Sequence, residues 1–219
     1  MRMRMSCCSI GRSTITWFIS HFTLKKKMHP EFWNIWTSLL PLALLIHIAT
    51  PQPNPIHLAC IICQLCSAIY HTFNSTTPLL YNLDLAGICC MSIGSPHLYE
   101  MVYRTDRLAQ YTSALVLLTT ACLALLIRST LRNEVSTTCE PLILVLAAVG
   151  NYPALRLPTA AGGMAIVITA YILFKTLHFP ECLFPQHTAP GRFWHSHVLW
   201  HCAVFAGQMC YVVQAEAAR

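Results

Sequence analysis

Apolar residues fall along the chain in seven long blocks, at residues 33–50, 56–73, 79–102, 108–127, 140–157, 158–179 and 193–214. Each is near the ~20 residues that an α-helix needs to cross a bilayer. The breaks between them are short and carry helix-ending residues. Pro51, Pro53 and Pro55 separate the first pair, and Asn74-Ser75-Thr76-Thr77-Pro78 the second. Arg104-Thr105-Asp106-Arg107 and the polar segment from Arg128 to Glu140 mark the next two. Pro153, Arg156 and Pro158 lie between the fifth and sixth blocks, and Pro180 to Gly191 between the last two. The pattern predicts an all-α integral membrane protein, a bundle of seven transmembrane helices.

Composition points the same way. Of 219 residues, 55% are hydrophobic and 10% charged, against about 25% charged in a soluble domain. Such a chain cannot cover itself with a solvated surface. The net charge of +6 comes partly from the amino-terminal tail, and no basic–aromatic interleaving of the RNA-binding kind accompanies it. Nucleic acid is therefore excluded as a partner. Most of the 12 cysteines lie inside apolar blocks, where a thiol is a small packing residue. The run Cys60, Cys63, Cys66 falls within one block and lacks the partners of a zinc ribbon.

Residues 1–27 hold six basic residues (Arg2, Arg4, Arg12, Lys25, Lys26, Lys27) and no acid. The weakly apolar stretch Ser13 to Leu24 is too short and polar to span. A membrane-surface helix is favoured over an organelle-import segment or a true start at Met28. The expected organisation is a basic tail over 1–28, a seven-helix domain over 29–214 and a short tail over 215–219. With the amino terminus in the cytoplasm, the inner side collects the six tail residues, Arg128, Arg132, Lys175 and Arg192. The outer side collects Arg104, Arg107, Arg156 and Arg219. Ten against four favours that orientation, and the tail supplies the excess. The sequon Asn74-Ser75-Thr76 then falls in a cytoplasmic loop.

Candidate chemistry gathers at the same level. His197 and His201 are four apart, so on a helix they lie one turn apart on one face, a geometry for gripping one metal ion. His71 ends the second block, and Asp84 lies one or two turns into the third. Span order alone puts these four residues near one membrane face, whichever way the bundle is oriented. Asp84 is the acid that lies clearly within a block, where a carboxylate costs a few kcal/mol unless solvated or paired. Ser67 is one turn before His71 and faces the same way. Plainer readings stand beside these. A lone histidine at a span end is more often an interfacial residue than a ligand, and His47, His57, His97 and His178 are assigned to that class. His195 sits about 200° round the helix from His197. Trp33, Trp36, Trp194 and Trp200 look like interfacial anchors. Asp84 has a structural alternative, an ion pair with Lys175 or Arg192.

At these residues the chain resembles the progestin and adipoQ receptor (PAQR) family, which includes the adiponectin receptors and is related to bacterial hemolysin III proteins. Four motifs occur in the family's order. They are His29-Pro30-Glu31-Phe32-Trp33-Asn34-Ile35-Trp36-Thr37-Ser38, Ser67-Ala68-Ile69-Tyr70-His71, Leu83-Asp84-Leu85-Ala86-Gly87, and Pro180-Glu181 followed by Pro190-Gly191-Arg192-Phe193 and Ser196-His197-Val198-Leu199-Trp200-His201. Ser38 stands where the family usually has histidine, and Pro41 where it often has glycine. The segment from Pro180 to Pro190 is longer than usual, and that from Gly191 to His197 shorter. The resemblance implies seven helices with the amino terminus inside, in the plasma membrane or an endomembrane. It implies Zn2+ near the cytoplasmic face, held by His71, His197 and His201, with Asp84 and Ser67 beside its water as the candidate catalytic pair. It also implies ceramidase-like hydrolysis of a lipid amide, receptor signalling in answer to a lipid or protein ligand, or both. Hormone specificity does not carry over to so compact a chain. A haem-binding bundle ranks below these, because only His71 against His197 or His201 could supply facing axial ligands.

Overall fold

Each apolar block becomes a helix, and proline decides where several of them start. The computed structural model describes residues 31–73, 77–103, 109–134, 139–184 and 193–219. Seven α-helices occur there: α1 Phe32–Ala49, α2 Pro55–Phe73, α3 Pro78–Tyr103, α4 Ala109–Leu131, α5 Cys139–Asn151, α6 Pro158–Ala170 and α7 Ser196–Ala217. No strand is present among the described residues. Pro55, Pro78 and Pro158 each open a helix, where the missing N–H is no loss and the fixed φ is already helical. The fifth block is a shorter α-helix than its length suggested, followed by a tight 3-10 turn, Pro153–Arg156. A π-helical turn, Tyr171–Thr176, extends α6. The basic tail, the Asn74 sequon and Pro190-Gly191-Arg192 lie outside the described residues.

Four segments are long and apolar enough to cross a membrane: Phe32–Ala49, Pro55–Phe73, Pro158–Thr176 and Ser196–Ala217, with Leu115–Leu131 a shorter apolar stretch. The helix α3 is 26 residues long yet is too polar to qualify, and its position explains why. It packs against α2, α4, α5 and α7, so protein rather than lipid covers its polar side chains. Asn82 donates to Thr130 Oγ1 of α4 at 2.9 Å, and Ser95 donates to the Asn151 side chain of α5. The outward faces are aliphatic instead, with Leu117, Ile127, Ile168 and Val213 all exposed. In lipid such a surface is the solvated one; in water it would associate.

The helix α1 packs on both α2 and α7, which closes the bundle. One apolar core, around Leu45, Ile56, Leu98, Leu157 and Val212, fills the space between α1, α2, α3 and α7. A second, around Leu85, Cys89, Leu115, Cys122 and Leu146, joins α3 to α4 and α5. Cys60, Cys63, Cys66, Cys89 and Cys122 are buried, as packing residues should be.

The α6–α7 crossing is a backbone-to-backbone contact made by two glycines. A Cβ on Gly207 would stand 2.5 Å from Val167 Cγ2 and 3.0 Å from the Gly163 carbonyl oxygen. One on Gly163 would stand 2.8 Å from the Gly207 carbonyl oxygen. Nearby Gly162 has nothing within 4 Å of such an atom. Gly207→Val should therefore push the helices apart at a cost of about 1–3 kcal/mol, while Gly162→Val should be near neutral. Thermal unfolding in detergent reads the difference, and equal effects of the two substitutions would refute the close approach.

Candidate metal centre

The buried stripe of α2 runs Ile56, Cys60, Cys63, Ser67, His71. Steps of three and four keep one helix face inward, and they deliver His71 to the interior at the helix end. On α7 the same arithmetic puts His197 and His201 on the inner face at the helix start. That start is fixed by Glu181, whose Oε1 accepts the Ser196 N–H at 2.6 Å and lies 3.5 Å from His195 Nε2. A carboxylate at a helix amino terminus satisfies an orphan donor and suits the local dipole. The Pro180-Glu181 motif thus has a place, at the amino terminus of α7 on the residue immediately before His197. His195 is the N-cap of α7, outside its helical turns: its Nδ1 accepts the His197 N–H at 3.3 Å while its Nε2 faces Glu181.

The three imidazoles meet. His197 Nε2 is 3.4 Å from His71 Nε2 and 3.2 Å from His201 Nε2, and one nitrogen from each ring falls within 4.8 Å of the others. The ring planes cross at 66–77°, so the rings radiate from a shared point instead of stacking. His71 and His201 are 2% and 7% exposed. In a tetrahedral site with Zn–N bonds of ~2.0–2.1 Å, neighbouring nitrogens stand about 3.3 Å apart. The edges of 3.2 and 3.4 Å fit. A buried set of three imidazole nitrogens, with no carboxylate among the ligand atoms, suits a borderline cation such as Zn2+. The triad could hold a metal ion.

Asp84 lies beside this cluster and accepts a hydrogen bond from the Ser67 hydroxyl. It feels the charge of His71 and of Lys175, which projects from the π turn of α6. Of the two cations considered as structural partners for Asp84, Lys175 is within electrostatic reach, and Arg192 lies outside the described residues.

Two residues of the centre carry no predicted role. Glu31 Oε2 is 2.8 Å from His71 Nδ1, and the Asn34 amide donates to the same oxygen at 2.6 Å. Burial pushes the Glu31 carboxyl up, and the bonds from His71 and Asn34 outweigh it, holding the group at about 2. Ser38 is fully buried, with its Oγ 3.4 Å from both His201 Nδ1 and Ser67 Oγ. The available signal was the spacing of Glu31, Asn34 and Ser38, three and then four, which lines up the residue capping α1 with one face of that helix. His57 departs from expectation in another way. It is fully buried, and its Nε2 lies 3.1 Å from Glu216 of α7, because the far end of α7 closes over the start of α2.

The chain matches the model of the haemolysin-III related family over residues 26–212. No individual curated protein matches it. The matched span runs from before Glu31 to beyond His201, so it takes in every residue of the centre. The chain is a multi-pass membrane protein belonging to the haemolysin-III related family, the family that includes the progestin and adipoQ receptors.

Proposed function

We propose that this protein crosses the membrane seven times with its amino terminus in the cytoplasm, and binds one Zn2+ between His71, His197 and His201. There it hydrolyses the amide bond of a ceramide-like lipid that enters from the bilayer of the plasma membrane or an endomembrane. The observation that carries the reading is the convergence of three buried Nε2 atoms, at 3.2 and 3.4 Å, beside an intramembrane carboxylate. His71, His197 and His201 would hold the ion with three protein ligands, the number typical of catalytic rather than closed structural sites, and it would supply Lewis acidity to the amide carbonyl. Asp84 performs the proton transfers. Its carboxylate takes a proton from the attacking water as the new C–O bond forms at the amide carbon. It returns that proton to the amide nitrogen as the C–N bond breaks, releasing a fatty acid and an amine. The Ser67 O–H, bonded to Asp84, keeps the carboxylate aimed.

A receptor with a structural metal is the second reading. It is favoured by Lys175, whose charge reaches Asp84 and would tie the carboxylate away from substrate. The two readings separate on purified protein. Amide hydrolysis expects about one zinc per chain and release of fatty acid from ceramide, both lost on chelation and restored by Zn2+. Full zinc occupancy without turnover of any lipid amide would leave the receptor.

A further inference from the structure

Two of the three imidazoles turn their other ring nitrogen toward α1 and the residue that caps it. We propose that Glu31 and Ser38 are positioning residues: they hold His71 and His201 in the Nδ1–H tautomer, so that both Nε2 lone pairs point at the metal position. The inference rests on the zinc reading above and adds residues that are not ligands.

The argument is one of donors and acceptors. A neutral imidazole has one N–H and one lone pair, and an ionised carboxylate can only accept. Glu31 Oε2, 2.8 Å from His71 Nδ1, therefore requires the hydrogen on Nδ1 and leaves the lone pair on Nε2. Asn34, donating to that same oxygen at 2.6 Å, stops the carboxylate from swinging away. Ser38 does the equivalent for His201. Its O–H donates to the Asn34 carbonyl oxygen at 3.0 Å, which leaves the hydroxyl oxygen to accept from His201 Nδ1–H at 3.4 Å.

Without these partners the metal-free cluster has a competing arrangement. Rings with Nε2 atoms 3.2–3.4 Å apart can bond to one another through Nε2–H, and that hydrogen would have to leave before a cation could enter. Locking Nδ1–H on two rings removes this competitor. Glu31 contributes more than Ser38, because its charge also raises the basicity of the ring it holds. Ser38 Oγ also lies 3.4 Å from Ser67 Oγ, so α1 packs against the residue that aims Asp84 as well as against the ligand set.

The test is Zn2+ affinity of the full-length purified protein, by competition with a chromophoric chelator, and the Co2+ absorption spectrum of each variant. Glu31→Ala should bind Zn2+ about 10–100-fold more weakly, the range seen on loss of such outer partners. Glu31→Gln, which keeps an acceptor oxygen but no charge, should fall between it and wild type. Ser38→Ala should lose less than Glu31→Ala. The Co2+ spectrum should remain tetrahedral throughout, because no ligand has been removed. Glu31→Gln preserves shape and Ser38→Ala removes one atom, so the series survives if Glu31→Ala does not fold. Zn2+ affinity within about twofold of wild type in all of the folded variants overturns this inference alone. A wild-type protein that binds no Zn2+ overturns the zinc reading and this inference with it. Weakened affinity without a change in the melting temperature of metal-free protein separates positioning from a merely structural role.

Discussion

His201→Ala is expected to purify with little or no zinc and to lack hydrolytic activity. The size of the effect follows from the ligand count. Structural zinc sites bind with about 10–16 kcal/mol over four ligands, so one ligand carries roughly 3 kcal/mol. At 1.4 kcal/mol per tenfold, losing one of three weakens binding by at least ~100-fold. His201 is a demanding case because it is buried and central: its Nε2 is 3.2 Å from His197 Nε2, and its Nδ1 faces Ser38. Alanine leaves a gap in the interior that no neighbouring nitrogen can fill. His97→Ala is the control, since that ring is on α3 and lies 3.4 Å from Glu100, away from the triad. Elemental analysis after gel filtration decides the matter. Stoichiometric zinc in His201→Ala would end the proposal that these histidines hold it.

The helix order was readable from sequence because it needs only the apolar blocks and their breaks. The co-location of His71 with His197 and His201 was readable for a related reason. It depends on which end of a block each residue occupies, not on how the blocks pack. What was not readable required knowing which helices touch. Glu31 and Ser38 show a one-face spacing in the sequence, yet nothing there says that this face meets α2 and α7. His57 looked like any span-end histidine, and only the closure of α7 over the start of α2 makes it a buried neighbour of Glu216. The helix α3 presents the opposite case. Its block is long but polar, since Asn82, Ser92 and Ser95 are buried against other helices, so composition understates how central it is. The block at 140–157 overstated α5, because Pro153 diverts the chain into a 3-10 turn after Asn151.

Asp84→Asn is expected to keep its zinc and lose ~10²–10⁴-fold in kcat, the range for removing a general acid–base group. Asparagine matches the shape of aspartate, and its carbonyl oxygen can still accept the Ser67 O–H. What it cannot do is take a proton from water and return it to a leaving amine. The loss should fall on kcat with KM little changed, since the group acts on the transition state and not on the bound lipid. That separates chemistry from the structural alternative, in which Asp84 serves to neutralise Lys175. A structural tie predicts a lower melting temperature in Asp84→Asn with the surviving folded fraction fully active, and it predicts that Lys175→Met does comparable damage. A proton-transfer role predicts the reverse, a folded, zinc-loaded, inactive protein, with Lys175→Met retaining turnover. Full activity in a folded, zinc-loaded Asp84→Asn protein would remove this carboxylate from the reaction. The intramembrane acid would then be best explained as a tie between α3 and the π turn of α6, the arrangement a receptor would need if helix packing carries its signal.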